Sequence, residues 1–230
     1  MYNIAIVSPF RDSEAYITGY IDQIYALDYP PECLRVHCIE GDSTDNTKQL
    51  LADWTIADDR ITLIQYDTGK ARFDSVVSQD RFKHLAGIFN TCLDTALADD
   101  WADYVFMLPS DVAIQPGTIN TLVERNKDII APMFWKGDHP NGCRFYDIWG
   151  FRMLDGQPLP PNAYAYYQAN FETEKPVEMD TIGGAMLARR DVLDSGVRYT
   201  PEDVDRGLCW TAKANGFSVW CDPQAHAIHR

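Results

Sequence analysis

Three acidic segments, at residues 40–47, 110–111 and 202–203, carry the side chains best suited to ligand binding or catalysis. Carboxylates in the first can accept hydrogen bonds from a nucleobase N–H or a ribose hydroxyl, and Glu40 and Asp42 are its candidates. Asp111 in the second can hold a hard divalent cation that bridges two phosphates. Asp203 in the third, beside Glu202, can take a proton from an attacking hydroxyl. The three segments are Glu40-Gly41-Asp42-Ser43-Thr44-Asp45-Asn46-Thr47, Ser110-Asp111 and Glu202-Asp203.

Each segment also has an ordinary structural interpretation. The first would cap a helix, and the second would start a turn before Pro116. The third would suit a helix N-terminus, because the helix dipole favours acidic residues there. Taken singly, none of the three segments decides between chemistry and structure.

Basic residues and two histidines complete the set of candidates. An arginine can grip a pyrophosphate with two parallel hydrogen bonds. His226 and His229 lie three residues apart on a segment that is predicted to be extended, so they should point to opposite faces and only one should reach a site. The basic residues that follow the first three predicted strands are Arg11, Lys70, Arg72, Arg81 and Lys83.

Alternating strand and helix patterns must position these side chains. Strands are predicted at 3–7, 34–39, 61–66, 104–108, 128–133, 182–187 and 217–221, and helices at 13–27, from 42 onward, at 79–97, from Pro116 and at 202–215. This order predicts an α/β fold, a mostly parallel sheet with helices on both faces. Ligands bind at the carboxyl ends of such strands, where residues 8–12, 40–45 and 110–111 fall.

One domain should span residues 1–230. Residues 134–176 are rich in aromatic residues, Pro and Gly and are interpreted as an irregular insertion whose rings could stack on sugars. The formal charge of −14 disfavours binding to nucleic acids and anionic membranes. The six cysteines lack C-x-x-C spacing, and neither a signal peptide nor a membrane span is evident, so we expect a reducing, cytoplasmic location.

In this order the segments resemble the nucleotide-diphosphate-sugar glycosyltransferases of GT-A fold, family 2-like, and are also similar to the fungal mannan polymerase subunits. Residues 8–12 match the first donor-binding turn, and residues 40–47 resemble the D-D-x-S-x-D-x-T turn. Residues 81–90 resemble the helix that faces the donor. Pro109-Ser110-Asp111 stands at the D-x-D metal motif with its first acid replaced, and Gly183-Gly184 with Glu202-Asp203 matches the G-G and E-D elements.

The resemblance implies a donor half at 1–133, an acceptor-binding and catalytic half at 134–230, and a UDP- or GDP-linked donor whose sugar moves to a glycan or another hydroxyl compound. It implies Mn²⁺ or Mg²⁺ on Asp111 and His229, and Asp203 as the base of an inverting transfer, with Glu202 beside it. The mannan polymerase-like enzymes retain configuration, so both stereochemical courses stay open. The implied donor-binding residues are Pro9, Arg11, Glu40, Asp42, Arg81, Lys83 and Ser110.

Two other functions compete with this one. A sugar-nucleotide nucleotidyltransferase would need a Gly-rich basic loop after the first strand, and residues 8–13 contain no glycine. A non-catalytic sugar- or nucleotide-binding module of the same fold is favoured by the serine at position 110.

Overall fold

The computed structural model describes residues 1–67, 69, 73, 78–136, 144–145, 147, 149–158 and 175–230. Within these residues ten strands form one sheet. They are β1 (Ile4–Phe10), β2 (Leu34–Glu40), β3 (Ile61–Gln65), β4 (Tyr104–Met107), β5 (Val112–Ile114), β6 (Ile129–Lys136), β7 (Arg144–Phe145), β8 (Val177–Glu178), β9 (Met186–Arg189) and β10 (Val219–His229).

The strand order is β3-β2-β1-β4-β9-β6-β10-β5, with β7 paired to β6 and β8 paired to β10. Strands β1 to β4 run parallel to one another, and β10 runs parallel to β6. Both β4 and β6 are antiparallel to β9, so they run in the same direction. The predicted α/β fold with mostly parallel strands is confirmed, and the carboxyl ends of β1, β2 and β4 meet at one edge.

Amphipathic helices cover the sheet. The helices are α1 (Glu14–Tyr25), α2 (Thr47–Ala57), α3 (Gln79–Ala96), α4 (Thr118–Glu124), α5 (Arg190–Asp194) and α6 (Val204–Ala214), and Pro31–Cys33 forms a 3₁₀ turn before β2. Helix α3 buries Phe82, Ala86 and Leu93 on one side, as its apolar spacing predicts. Ser78 caps this helix by accepting a hydrogen bond from the backbone N–H of Arg81.

Several predicted boundaries are wrong, and the sequence pattern did not indicate strands β5, β7 and β8 or helix α5. Helix α2 begins at Thr47 rather than at Asp42, and α4 begins two residues after Pro116. The strand expected at 182–187 is β9, which begins only at Met186. Strand β10 has a bulge between Asp222 and His226 and continues to His229. Its last three residues, 227–229, pair with β5.

Five cysteines lie among the described residues, all as free thiols, and four of them are buried; Cys143 lies outside those residues. Burial raises the pKa of Cys92 well above its ordinary value. Most of the aromatic segment 134–176 also lies outside the described residues, apart from 134–136, 144–145, 147, 149–158 and 175–176. Over the described part of the chain, every helix is too short or too polar to cross a bilayer.

Candidate functional site

A cavity of about 360 Å³ opens where β1, β2 and β4 end, against one side of α3. Its walls combine apolar surface from the strand ends and the helix with a few polar groups, the mixture expected of a small-molecule site. Of the predicted residues, five line it: Pro9, Arg11, Arg81, Ser110 and Asp111. Lys83 is exposed and is not part of its wall, and the candidates Lys70 and Arg72 lie outside the described residues.

Hydrogen bonds tie the loop after β1 to the loop after β2. Asp12 Oδ1 accepts from the Thr44 backbone N–H at 2.7 Å and from the Thr44 hydroxyl at 3.1 Å. The backbone N–H of Asp12 donates to Ser43 Oγ at 3.0 Å, and that of Ser13 donates to Thr47 Oγ1 at 2.7 Å. Asp12 has a φ of 47°, a left-handed conformation that Asp tolerates better than most residues. The two loops therefore form one preorganised rim.

Much of the acidic segment at 40–47 makes hydrogen bonds within this rim and does not face the cavity. Glu40 is buried, and its Oε1 accepts from the Ser43 backbone N–H at 2.6 Å. Asp45 accepts from the backbone N–H groups of Thr47 and Glu14. Asp42 differs: it has a φ of 55°, and its carboxylate is close enough to His84 to act on that imidazole electrostatically.

Arg11 and His84 place buried nitrogens at the cavity. Nε and Nη2 of Arg11 and Nε2 of His84 are shielded from solvent and have no hydrogen-bond partner among the described residues. Burial lowers the pKa of His84, although Asp42 acts in the opposite direction. Unsatisfied buried donors are costly, so a ligand with acceptor oxygens or nitrogens would gain by occupying this cavity.

Asp111 and His229 meet at the edge of the cavity. His229 Nε2 lies 3.2 Å from Asp111 Oδ2, and both side chains remain partly exposed. The pairing of β5 with β10 sets this distance, because it aligns His229 with Val112, the residue after Asp111. His226 has a different neighbour: its Nδ1 accepts from Trp135 Nε1 at 2.9 Å.

The Asp111–His229 pair is suited to coordinate a cation that a bound ligand also coordinates. Within the described residues, no three His, Cys, Asp or Glu side chains are placed to hold a metal ion. Asp111 and His229 offer one carboxylate oxygen and one imidazole nitrogen, and Mn²⁺ or Mg²⁺ would take its remaining ligands from phosphate oxygens and water. Ser110 is buried, and its hydroxyl lies 3.1 Å from that of Ser13, so it serves the loop.

Asp147 is a further carboxylate near His229 that the sequence pattern did not indicate. Its Oδ1 accepts from the Gly150 backbone N–H at 2.6 Å, and the Trp149 backbone N–H also bonds to it. Burial raises the pKa of Asp147, and the backbone N–H groups, Arg152 and His229 oppose the rise. A Cβ on Gly183 would collide with Asp147 Oδ2, so the first glycine of Gly183-Gly184 makes room for this carboxylate.

Asp203 caps α6, whereas Glu202 is exposed. Oδ1 of Asp203 accepts from the Arg206 backbone N–H at 3.0 Å, and Oδ2 accepts from both Nε and Nη2 of Arg206. A carboxylate has about four acceptor sites, and Arg206 takes three of them. One site on Oδ1 is left for another donor. Neither Asp203 nor Glu202 is part of the cavity wall.

Comparison with solved structures identifies the fold. Staphylococcus aureus TarS residues 1–349 match with a TM-score of 0.63 at 14% identity, covering 97% of this chain and 60% of that one. The Pyrobaculum calidifontis mannosyltransferase PcManGT, solved with GDP-Man and Mn²⁺, matches at 0.60 and 14%, covering 99% and 56%. GalNAc-T7, solved with UDP, GalNAc and Mn²⁺, matches at 0.69 and 10%, covering 100% and 44%. The fold is the GT-A fold of nucleotide-sugar glycosyltransferases.

Sequence comparison places the chain in a family. A sequence model of the family described as Anp1 matches residues 2–155, more than half of the chain, so the chain belongs to the Anp1 family.

Curated relatives are more distant. Procollagen galactosyltransferase 1-A of Xenopus laevis is 25% identical over 136 residues, which cover 54% of this chain and 21% of the relative. The human protein named inactive glycosyltransferase 25 family member 3 is 24% identical over 151 residues, covering 57% and 25%. The matched regions therefore span about a quarter of these relatives or less.

Proposed function

We propose that the chain is a metal-dependent glycosyltransferase that takes a sugar from a nucleoside-diphosphate donor to an acceptor hydroxyl. The observation that carries the proposal is the Asp111–His229 pair, 3.2 Å apart at the edge of a cavity at the strand ends. In this proposal, the base and ribose of the donor would occupy the apolar part of the cavity, and its diphosphate would lie at the edge beside the Asp111–His229 pair. The nucleotide complexes of TarS and PcManGT support this class of donor.

Arg11 and His84 should hold the donor through their buried nitrogens. Asp111 and His229 would hold Mn²⁺ or Mg²⁺, which stabilises the charge that develops on the leaving diphosphate. In an inverting transfer, the open acceptor site on Asp203 Oδ1 would take the proton of the attacking hydroxyl, while Arg206 keeps the carboxylate in place. The cytoplasmic location stays a prediction.

Ligand-dependent stability tests the donor site. UDP, GDP and their sugar conjugates are added to the protein with and without Mn²⁺, and the melting temperature is recorded. A ligand that binds only the native state at 100 times its Kd stabilises it by about 2.7 kcal/mol. We expect one nucleotide to raise the melting temperature more when Mn²⁺ is present.

Matched variants locate that binding. Arg11→Met and Arg81→Met, both in the cavity wall, should weaken the shift, whereas Lys48→Met, which removes an exposed cation on α2, should not. If no nucleotide shifts the melting temperature, or if Lys48→Met weakens the shift as much as Arg11→Met, the donor site is wrongly placed.

A non-catalytic binding module is the second candidate, and Ser110 favours it because the metal motif has lost an acid. Hydrolysis of a bound nucleotide sugar without acceptor separates the two functions. Mn²⁺-dependent release of free sugar supports the enzyme. Donor binding without release or transfer supports the module.

A further inference from the structure

Two exposed indoles flank one guanidinium at the start of α6. Arg206 Cζ lies 5.3 Å from the ring centroid of Trp149 and 5.2 Å from that of Trp210. Trp149 is 48% exposed and Trp210 is 41% exposed. Large aromatic residues that are half open to solvent contribute little to a core, so a role in binding is worth testing for this cluster.

The cluster is held in place from both sides. Arg206 makes two hydrogen bonds to the Asp203 carboxylate at the start of α6, and Trp210 follows one turn later on the same helix. The backbone N–H of Trp149 bonds to Asp147, the carboxylate seated over Gly183. The two rings therefore present a preorganised surface, which reduces the entropy lost when a ligand is ordered on it.

The charge of the cluster selects the chemistry of its ligand. Asp203, which is itself buried, accepts two of the five N–H groups of Arg206, so the ion pair has no net charge with which to select an anion. The N–H groups that Asp203 does not take can donate to hydroxyl oxygens, and they lie beside apolar ring surface. The axial C–H faces of a neutral pyranose match such rings, because a sugar pairs an apolar face with polar edges just as an indole does.

Contacts connect the cluster to the candidate catalytic residues. Trp149 bonds to Asp147, which acts electrostatically on His229, and Arg206 binds Asp203. The indoles thus adjoin the carboxylate that is proposed as the base, and neither of them is part of the donor cavity wall.

We propose that Trp149, Arg206 and Trp210 form a subsite for a neutral saccharide ring of the acceptor, which stacks on the indoles. The subsite deepens the proposed function and rests on it, since it assigns the acceptor's chemical class. A second copy of this chain docking on the same rings is the competing occupant.

Nuclear magnetic resonance of the indole N–H groups tests the proposal without donor. The ¹⁵N-labelled protein is titrated with methyl α-mannopyranoside, methyl β-galactopyranoside and lactose up to about 50 mM, and Trp149 and Trp210 are assigned from their Phe variants. We expect at least one of these sugars to shift both resonances while the Trp54 and Trp101 resonances stay in place. Trp149→Ala and Trp210→Ala should each weaken binding about three- to tenfold, and Trp210→Phe should weaken it less.

Tyr2→Ala is the matched control, because Tyr2 is 48% exposed and lies before the start of β1, at the amino end of that strand. It should leave sugar affinity unchanged. The proposal is overturned if none of the three sugars shifts either indole, or if the alanine variants bind as the wild type does. It is also overturned if the indoles shift with protein concentration alone, which would assign the surface to a second copy.

The same titration separates this proposal from the donor site. Sugar binding at the indoles in a protein that binds no nucleotide would leave the subsite standing and reject the glycosyltransferase function. Nucleotide binding with no response at the indoles would reject the subsite and leave the proposed donor site standing.

Discussion

Gly183→Ala tests the packing that seats Asp147 beside His229. The added Cβ would collide with Asp147 Oδ2 and would lie 3.3 Å from the Cα of Gly150. A carboxylate that moves away from the added Cβ would strain or break the 2.6 Å bond between its Oδ1 and the Gly150 N–H. Overpacking costs about 1–3 kcal/mol, and a lost hydrogen bond to a charged group costs about 1.5–3 kcal/mol. Because these costs are alternatives, we expect a loss of about 2–3 kcal/mol in the free energy of unfolding.

The same substitution should cost much less when Asp147 is already replaced by alanine, since the two nearest atoms to the added Cβ, Oδ2 and Cγ of Asp147, are then absent. The difference between the two costs is the interaction energy of the double-mutant cycle, and we expect about 2 kcal/mol, within the range for residues in contact. Gly117→Ala is the control, because no atom lies within 4 Å of its added Cβ and its φ is −84°. It should change stability by less than about 0.5 kcal/mol.

Urea unfolding, followed by circular dichroism, measures all five proteins. In a thermal scan, Gly183→Ala should lower the melting temperature by about 4–12 °C, given about 2–4 °C per kcal/mol for a chain of this size. Equal costs of Gly183→Ala in the wild-type protein and in the Asp147→Ala variant would refute the packing inferred for the carboxylate.

The remaining predictions concern Asp147, Asp203 and Asp12. Burial raises the folded-state pKa of Asp147, so its contribution to the free energy of unfolding is fully present below the unfolded-state pKa and is lost as pH rises through the folded-state pKa. The free energy of unfolding of wild type relative to that of Asp147→Asn, measured with urea from pH 4 to 8, should therefore fall as pH rises. A rise with pH would contradict the burial of this carboxyl group. Asp203→Asn should lower transfer about 10²- to 10⁴-fold with donor affinity unchanged, as single-turnover and binding assays would show, and wild-type turnover would reject Asp203 as the base. Asp12→Ala should loosen the two-loop rim and weaken donor binding about fivefold by calorimetry, whereas Asp12→Asn, which keeps an acceptor oxygen, should bind more tightly than Asp12→Ala.

The sequence predicts the sheet and its functional edge because apolar runs and helical periodicity are local signals. Strands β1, β2 and β4 lie where the apolar runs predict them, and the polar residues that follow them meet at one edge. The proximity of Asp111 and His229 depends on the pairing of β5 with β10, and β5 has only three residues, too few to give a recognisable strand pattern in the sequence.

Other features depend on partners far along the chain. Thr44 is a residue type that caps helices, but its backbone N–H and its hydroxyl both donate to Asp12 on another loop, and α2 begins at Thr47. Asp147 lies in an aromatic segment without regular spacing, and its burial depends on Gly183. Asp222 is buried within β10, where Arg125 pairs with it at 2.6 Å. Local composition carries no information about such contacts.

Binding of Mn²⁺ in the presence of nucleotide tests the central claim most directly. Electron paramagnetic resonance of free Mn²⁺, with GDP or UDP added, gives the affinity of wild type, Asp111→Asn, His229→Gln and the control His226→Gln. We expect nucleotide to tighten Mn²⁺ binding in wild type and in His226→Gln, and each of the other two substitutions to weaken it more than about tenfold. An Mn²⁺ affinity that does not depend on the nucleotide, or that is unchanged in Asp111→Asn, would contradict a cation coordinated by both the Asp111–His229 pair and the donor diphosphate.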